Sequence, residues 1–142
     1  MDVIHLKHNF NIEYPVGDYI STWVGVAKMY ADKIYECNLM CLPIQIFCRG
    51  SSGAILSALV SSNIEVDRIV HIKKEGETSH GPDKPIVISS NYFNVIVDDF
   101  ISSGSTILNI LDAYPRIIFD LCIVASGNLN IKNSRIKTLI TN

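Results

Sequence analysis

Two adjacent carboxylates, Asp98 and Asp99, close an apolar run, and a small hydroxyl-rich turn follows them: Ser102, Ser103, Gly104, Ser105 and Thr106. A helical pattern starts at once. A strand that delivers acids to its C-terminal end and turns directly into a helix N-terminus can hold a polyol and a phosphate together. The carboxylates accept hydrogen bonds from sugar hydroxyls or hold a divalent metal, and the loop amides and helix dipole take the phosphate. A phosphorylated ribose needs both. The plainer reading is a solvated strand end with a serine N-cap. Against it stand the hydroxyls of Ser102, Ser103, Ser105 and Thr106 around one glycine, more than a cap requires. An acidic pocket of the receiver-domain kind would place its acids after the first strand, whereas here they follow about the fourth. A second turn of small residues, Arg49-Gly50-Ser51-Ser52-Gly53, ends another apolar run. On its own it is a helix start.

These turns need a scaffold. Residues 18–37 carry Tyr19, Trp23, Val26, Ala27, Tyr30, Ile34 and Cys37 at helical spacing, a wide apolar face. Ile44–Cys48 reads as a buried strand, Ala54–Ser62 as a helix and Arg68–Lys73 as a strand. A polar loop, Lys74–Lys84, precedes strands at Pro85–Ser89 and Asn94–Val97. Thr106–Tyr114 reads as a helix stopped by Pro115, Ile117–Ala125 as a core strand, and Arg135–Ile140 as a short edge strand. Residues 3–14 allow one or two further short strands. Strands apolar on both faces, alternating with helices, require a parallel sheet covered on two sides, an α/β fold. Ligands of such sheets bind where loops leave the carboxyl ends of the strands, and both small-residue turns fall at that edge.

Composition narrows the classes. A chain of 142 residues with 48% hydrophobic content is expected to form one domain and to bury about two-thirds of its unfolded surface. A net charge of −2 does not fit a nucleic-acid footprint. No apolar run of about 18 residues or signal-peptide core appears, so no membrane partner and a cytoplasmic location are expected. Cys37, Cys41, Cys48 and Cys122 include no C-x-x-C pair, and Cys48 and Cys122 read as small buried hydrophobes. His5 and His8 lack further ligands for a metal. The Gly-Lys-Ser/Thr of a Walker loop and the Gly-x-Ser-x-Gly hydrolase elbow are absent from the sequence. Trp23, Tyr30 and Ile34, with Tyr114 and Phe119, read as core.

The segment Val-Ile-Val-Asp-Asp-Phe-Ile-Ser-Ser-Gly-Ser-Thr, residues 95–106, resembles the phosphoribosyl pyrophosphate (PRPP) signature of the type I phosphoribosyltransferases at every key position. The resemblance implies a parallel-sheet α/β core with helices on both faces, spanning about 17–126, under a reduced hood drawn from 1–16 and 127–142. It implies that Asp98 and Asp99 bind the ribose hydroxyls and Mg2+, with Asp99 near the reacting centre. Ser102, Ser103, Gly104, Ser105 and Thr106 would cradle the 5-phosphate. Arg49-Gly50-Ser51-Ser52-Gly53 is similar to the family's pyrophosphate loop, whose amides and Arg49 side chain would bind diphosphate oxygens. The loop from Lys73 to Pro82 lies where the family carries its flexible catalytic loop. There Lys73, Lys74 and His80 are suited to stabilising departing pyrophosphate. Asn128, Asn130 and Lys132 follow the last core strand, where base contacts are expected, and Tyr92 and Phe100 are the nearest aromatics.

The function this implies is Mg2+-dependent transfer of phosphoribosyl from PRPP to a purine or pyrimidine base with release of pyrophosphate, in a homodimer with one active site per subunit. The alternative is a non-catalytic protein of the same fold that binds PRPP or a nucleotide.

Overall fold

The computed structural model describes residues 1–5, 20–72, 91–101, 104–127 and 133–141. Its elements run β1 (Asp2–His5), α1 (Ile20–Cys37), β2 (Ile44–Arg49), α2 (Gly50–Ser61), β3 (Arg68–Ile72), β4 (Phe93–Ile101), α3 (Ser105–Ala113), β5 (Phe119–Gly127) and β6 (Ile136–Thr141). The strands form one six-stranded sheet in the order β1-β6-β5-β4-β2-β3. Every pairing is parallel. The α/β fold with a parallel sheet expected from the sequence is what forms.

The order decides where the helices go. From β2 the chain moves outward through α2 to β3, and from β4 it moves the opposite way through α3 to β5. Parallel crossovers are right-handed, so opposite directions put α2 and α3 on opposite faces. The core divides accordingly. On one face α1 and α2 lay Trp23, Val26, Ala27, Tyr30, Ile34, Leu56 and Val60 against Ile46, Val95, Val97 and Ile123. On the other, Ile107, Ile110 and Leu111 of α3 meet Phe47, Ile96, Phe119, Cys122 and Val124. Phe47 stands edge-on to Tyr114 and Phe119, with centroids 5.2 and 5.1 Å away, geometry that aromatic quadrupoles favour. Trp23, Tyr30, Ile34 and Phe119 are core as expected, and Cys48 and Cys122 are buried free thiols.

Polar groups brace the opposite ends of these layers. Gln45 Nε2 donates to Asn94 Oδ1 (2.9 Å), Asn94 N–H to Asp120 Oδ2 (3.0 Å), and Lys137 Nζ to Asp120 Oδ1 (3.0 Å). This chain of bonds ties the entrance of four strands together and satisfies the buried Gln45 and Asn94. Arg135 caps α3 from below. Its guanidinium donates to the carbonyls of Leu111 in the last turn (2.7 Å), of the C-cap Tyr114 (2.9 Å) and of Ile117 in the turn that follows (3.4 Å).

Several boundaries differ from the sequence expectation. The strand expected at Asn94–Val97 runs from Phe93 to Ile101, through both acids, because β5 continues beside it to Gly127. The strand expected at Ile117–Ala125 is shifted to Phe119–Gly127. Helix α2 begins at Gly50 and not at Ala54, so residues 50–53 are its first turn. The segment expected as an edge strand at Arg135–Ile140 is β6, an interior strand between β5 and β1. Its adjacent Leu139 and Ile140 bury one side chain on each face of the sheet. Residues 2–5 and 136–141 therefore extend the core sheet, and a hood drawn from both termini does not include them. The strand expected at Pro85–Ser89 lies outside the described residues.

Candidate active site

The pair β2/β4 is the point where the chain's direction across the sheet reverses, and crevices form at the carboxyl ends of strands there. Both small-residue turns leave the sheet at this edge, the first from β2 at Gly50 and the second beyond β4 at Gly104. Phe47 pairs with Ile96, and two residues further on both strands bring Arg49 and Asp98 to the same level. On the far side of β4, Asp98 pairs with Val124 and Phe100 with Ser126.

Each turn bends at a glycine straight into a helix. Gly50 has φ 76°, in the left-handed region where a Cβ would be strained, and this bend takes the chain from β2 directly into α2. Arg49, the N-cap, is extended and makes no side-chain cap bond to the first turn. Gly53 lets that turn lie on the sheet: a Cβ there would come within 3.3 Å of Cys48 Cβ. The second turn repeats the device. Gly104 has φ 77° at the N-cap of α3, again with no side-chain cap bond. Two helix N-termini thus aim partial positive charge at one crevice. Neither helix has an acidic residue in its first turn to neutralise it.

The acids stand between them. Successive residues of a strand point to opposite faces, and the two carboxylates divide accordingly. Asp98 is only 4% exposed, and Asp99 is half-buried. The carboxylate Oδ1 of Asp98 accepts the N–H of Asp99 at 2.9 Å. The charge of Asp98 is felt around it. The Tyr30 hydroxyl lies well above its ordinary pKa, first through burial and then through Asp98 and Asp99. Burial pushes the Cys48 thiol up to about 11, with a further push from Asp98. The thiol of Cys122 is raised further, by burial and then Asp98. These thiols are packing groups and not nucleophiles.

Of the residues the sequence singled out, the structure brings together Arg49, Gly50, Ser51, Ser52 and Gly53 with Asp98, Asp99, Gly104, Ser105 and Thr106. Ser102, Ser103, Lys73, Lys74, His80, Asn128, Asn130 and Lys132 lie outside the described residues. Tyr92 is not near the acids. It sits at the opposite end of β4, where its hydroxyl donates to Asp67 Oδ2 at 2.8 Å and Arg68 stacks 5.9 Å from its ring.

Two residues at the site escaped the sequence reading. The Tyr30 hydroxyl, on α1, donates to the main-chain oxygen of Asp98 at 2.7 Å. A tyrosine in the middle of a largely apolar helix face was the available signal, since a buried phenol needs a partner. His71 Nε2 lies 3.0 Å from the carbonyl of Gly50. A carbonyl only accepts, so Nε2 carries the proton. Nothing in the sequence of β3 marks that contact.

Magnesium suits this donor set. Mg2+ is commonly held by one or two carboxylates, with waters and substrate phosphates filling the rest of its shell. Asp99, half-buried, would supply one such carboxylate, whereas Asp98 is buried and turned to the other face, and no group of three or more metal-ligating side chains occurs among the described residues.

The same fold recurs in solved structures. A purine phosphoribosyltransferase from Pyrococcus horikoshii superposes with a TM-score of 0.54 at 16% identity, covering 100% of this chain and 89% of that one. The fold is that of the type I phosphoribosyltransferases. A hypoxanthine-guanine phosphoribosyltransferase from Bacillus anthracis matches at TM-score 0.52 and 16% identity over 83% of this chain and 77% of its own. One from Schistosoma mansoni, solved in complex with IMP, matches at 0.51 and 12% over 100% and 84%. No protein-family model and no curated protein sequence matches the chain. Among the described residues no helix is long and apolar enough to cross a membrane.

Proposed function

We propose that the chain is a phosphoribosyltransferase that moves the 5-phosphoribosyl group of PRPP onto a purine base and releases pyrophosphate. The observation that carries this reading is the pair of glycine-bent helix N-termini, free of acidic residues in their first turns, that flank Asp98 and Asp99 at the reversal point of the sheet. One anion site beside an acid pair would suit many phosphorylated sugars. Two, on either side of it, suit a sugar phosphorylated at both ends. The fold shared with purine phosphoribosyltransferases favours a purine over a pyrimidine acceptor.

In this reading Gly104, Ser105 and Thr106, with Ser102 and Ser103, take the 5-phosphate. The first turn of α2 and Arg49 take the diphosphate, and Asp99 with Asp98 takes the ribose hydroxyls. Magnesium held at Asp99 would neutralise charge on the diphosphate and ribose oxygens. The C1–O bond to diphosphate breaks with its electron pair leaving on pyrophosphate, a ring nitrogen of the base bonds to C1, and the proton of that nitrogen departs to solvent. Lys73, Lys74 and His80 offset the charge on the leaving group. The chain's task is positioning and charge stabilisation, with no covalent nucleophile.

The test is pyrophosphate release from PRPP and Mg2+ with a panel of purine and pyrimidine bases. Release with a purine is expected. Tight PRPP binding without release for any base would replace the enzyme by a PRPP-binding regulatory protein, and no binding at all would remove both.

A further inference from the structure

The peptide joining Asp98 to Asp99 is held at both polar ends by side chains. Its carbonyl accepts the Tyr30 hydroxyl at 2.7 Å, and its N–H donates to Asp98 Oδ1 at 2.9 Å. The ladder to β2 ends at the Phe47–Ile96 pair, so this peptide lies beyond the part of β4 that β2 braces. Its rotation about the strand axis sets the direction in which Asp99 leaves the backbone. A small tilt there moves the carboxylate by much more.

Tyr30 is placed to prevent that tilt. Its ring is fully buried in the α1 layer, with Ala27, Ala31 and Ile34 of the same helix in the core around it. Among the α1 residues of that core, Tyr30 alone carries a hydroxyl. The bond spans 68 positions of sequence, and so couples the helix that covers the sheet to the strand that carries the acids.

We propose that Tyr30 is a positioning residue whose hydroxyl fixes the Asp98–Asp99 peptide and thereby aims Asp99 at the ribose hydroxyls of the donor. This rests on the phosphoribosyltransferase reading of the site. It adds a residue remote in sequence from both phosphate turns. It also separates two parts of the crevice, because the first turn of α2 is anchored elsewhere, by Gly50 and its His71 contact.

The experiment is calorimetric titration of Tyr30→Phe with PRPP and Mg2+, and separately with pyrophosphate and Mg2+. Ile34→Val, on the same buried face of α1, serves as a control that loosens packing without touching the acids. Losing one buried hydrogen bond corresponds to roughly a 3- to 10-fold change in an equilibrium constant. PRPP affinity should therefore fall about 3- to 10-fold in Tyr30→Phe, with pyrophosphate affinity unchanged, and Ile34→Val should match the wild type for both. Equal PRPP affinity in Tyr30→Phe and wild type would overturn the assignment and leave the functional reading intact. Parallel loss of PRPP and pyrophosphate in Tyr30→Phe and Ile34→Val together would reduce Tyr30 to a packing residue. A wild type that binds no PRPP would overturn the functional reading, and the assignment with it.

Discussion

The same chemical change, glycine to alanine, is predicted to act with opposite sign at two positions. Gly104 has φ 77° and forms the bend from the acid-bearing strand into α3. An L-residue in that conformation costs about 1–2 kcal/mol, because its Cβ crowds the following carbonyl. Gly25 lies within α1, and a Cβ built there has nothing within 4 Å. Alanine at that site lowers the entropy of the unfolded chain and gains about 0.5–1 kcal/mol. The two variants should therefore differ by roughly 1.5–3 kcal/mol. For a chain of this size each kcal/mol shifts Tm by about 2–4 °C. Differential scanning calorimetry should place Gly104→Ala below and Gly25→Ala above the wild type. The binding consequences should split as well: Gly104→Ala disturbs the phosphate turn and weakens PRPP, while Gly25→Ala leaves it alone. A Gly104→Ala variant as stable as wild type would refute the left-handed geometry on which the phosphate turn depends.

Arg135→Ala removes three bonds to carbonyls at the end of α3 and in the turn that follows, and should cost about 2–4 kcal/mol in thermal unfolding. Arg135→Lys should recover less than half of that, since an ammonium cannot fork between separate acceptors. Asp99→Asn, at a half-buried position, should change stability by less than about 1 kcal/mol. It should still weaken PRPP at least about tenfold by calorimetry, the scale of a lost charge-assisted bond. Stability should also fall in alkali. The Cys48 thiol is raised in the folded state from its ordinary 9.0 to about 11, so below pH 9 both states hold the proton and stability is flat. Between pH 9 and 11 only the unfolded chain releases it, which costs about 1.4 kcal/mol per pH unit. Cys122, and above pH 10 Tyr30, add in the same direction. Denaturant melts from pH 7 to 11 check this, and a flat profile would contradict the burial of these groups.

The chemistry of the site was legible because it is local. Acids, glycine and hydroxyls occur within one short stretch, and their spacing fixes what a strand-to-helix turn can hold. The parallel sheet was legible for a related reason, since runs such as Ile44–Cys48 bury both faces. What escaped depends on neighbours. The acids lie within a strand because β5 extends beside them, and no residue of 93–101 encodes the length of its partner. Helix α2 starts at Gly50 because a left-handed glycine can open a helix as well as a loop, a choice made by the close packing of Gly53 on Cys48. Ile136–Thr141 alternates at its start like an edge strand, yet Leu139 and Ile140 together mark it as interior. Tyr30 and His71 act through main-chain carbonyls far away in sequence, and such contacts leave no pattern in the chain.

The central claim is that one crevice holds both ends of the donor, and amide chemical shifts test it directly. Titrating 15N-labelled protein with PRPP and Mg2+ should move the amides of Gly50–Gly53 and of Gly104–Thr106 together, with Asp99 between them. Shifts confined to one turn, or centred on the cleft at the opposite end of the sheet near Tyr35, Leu42 and Asp67, would contradict it.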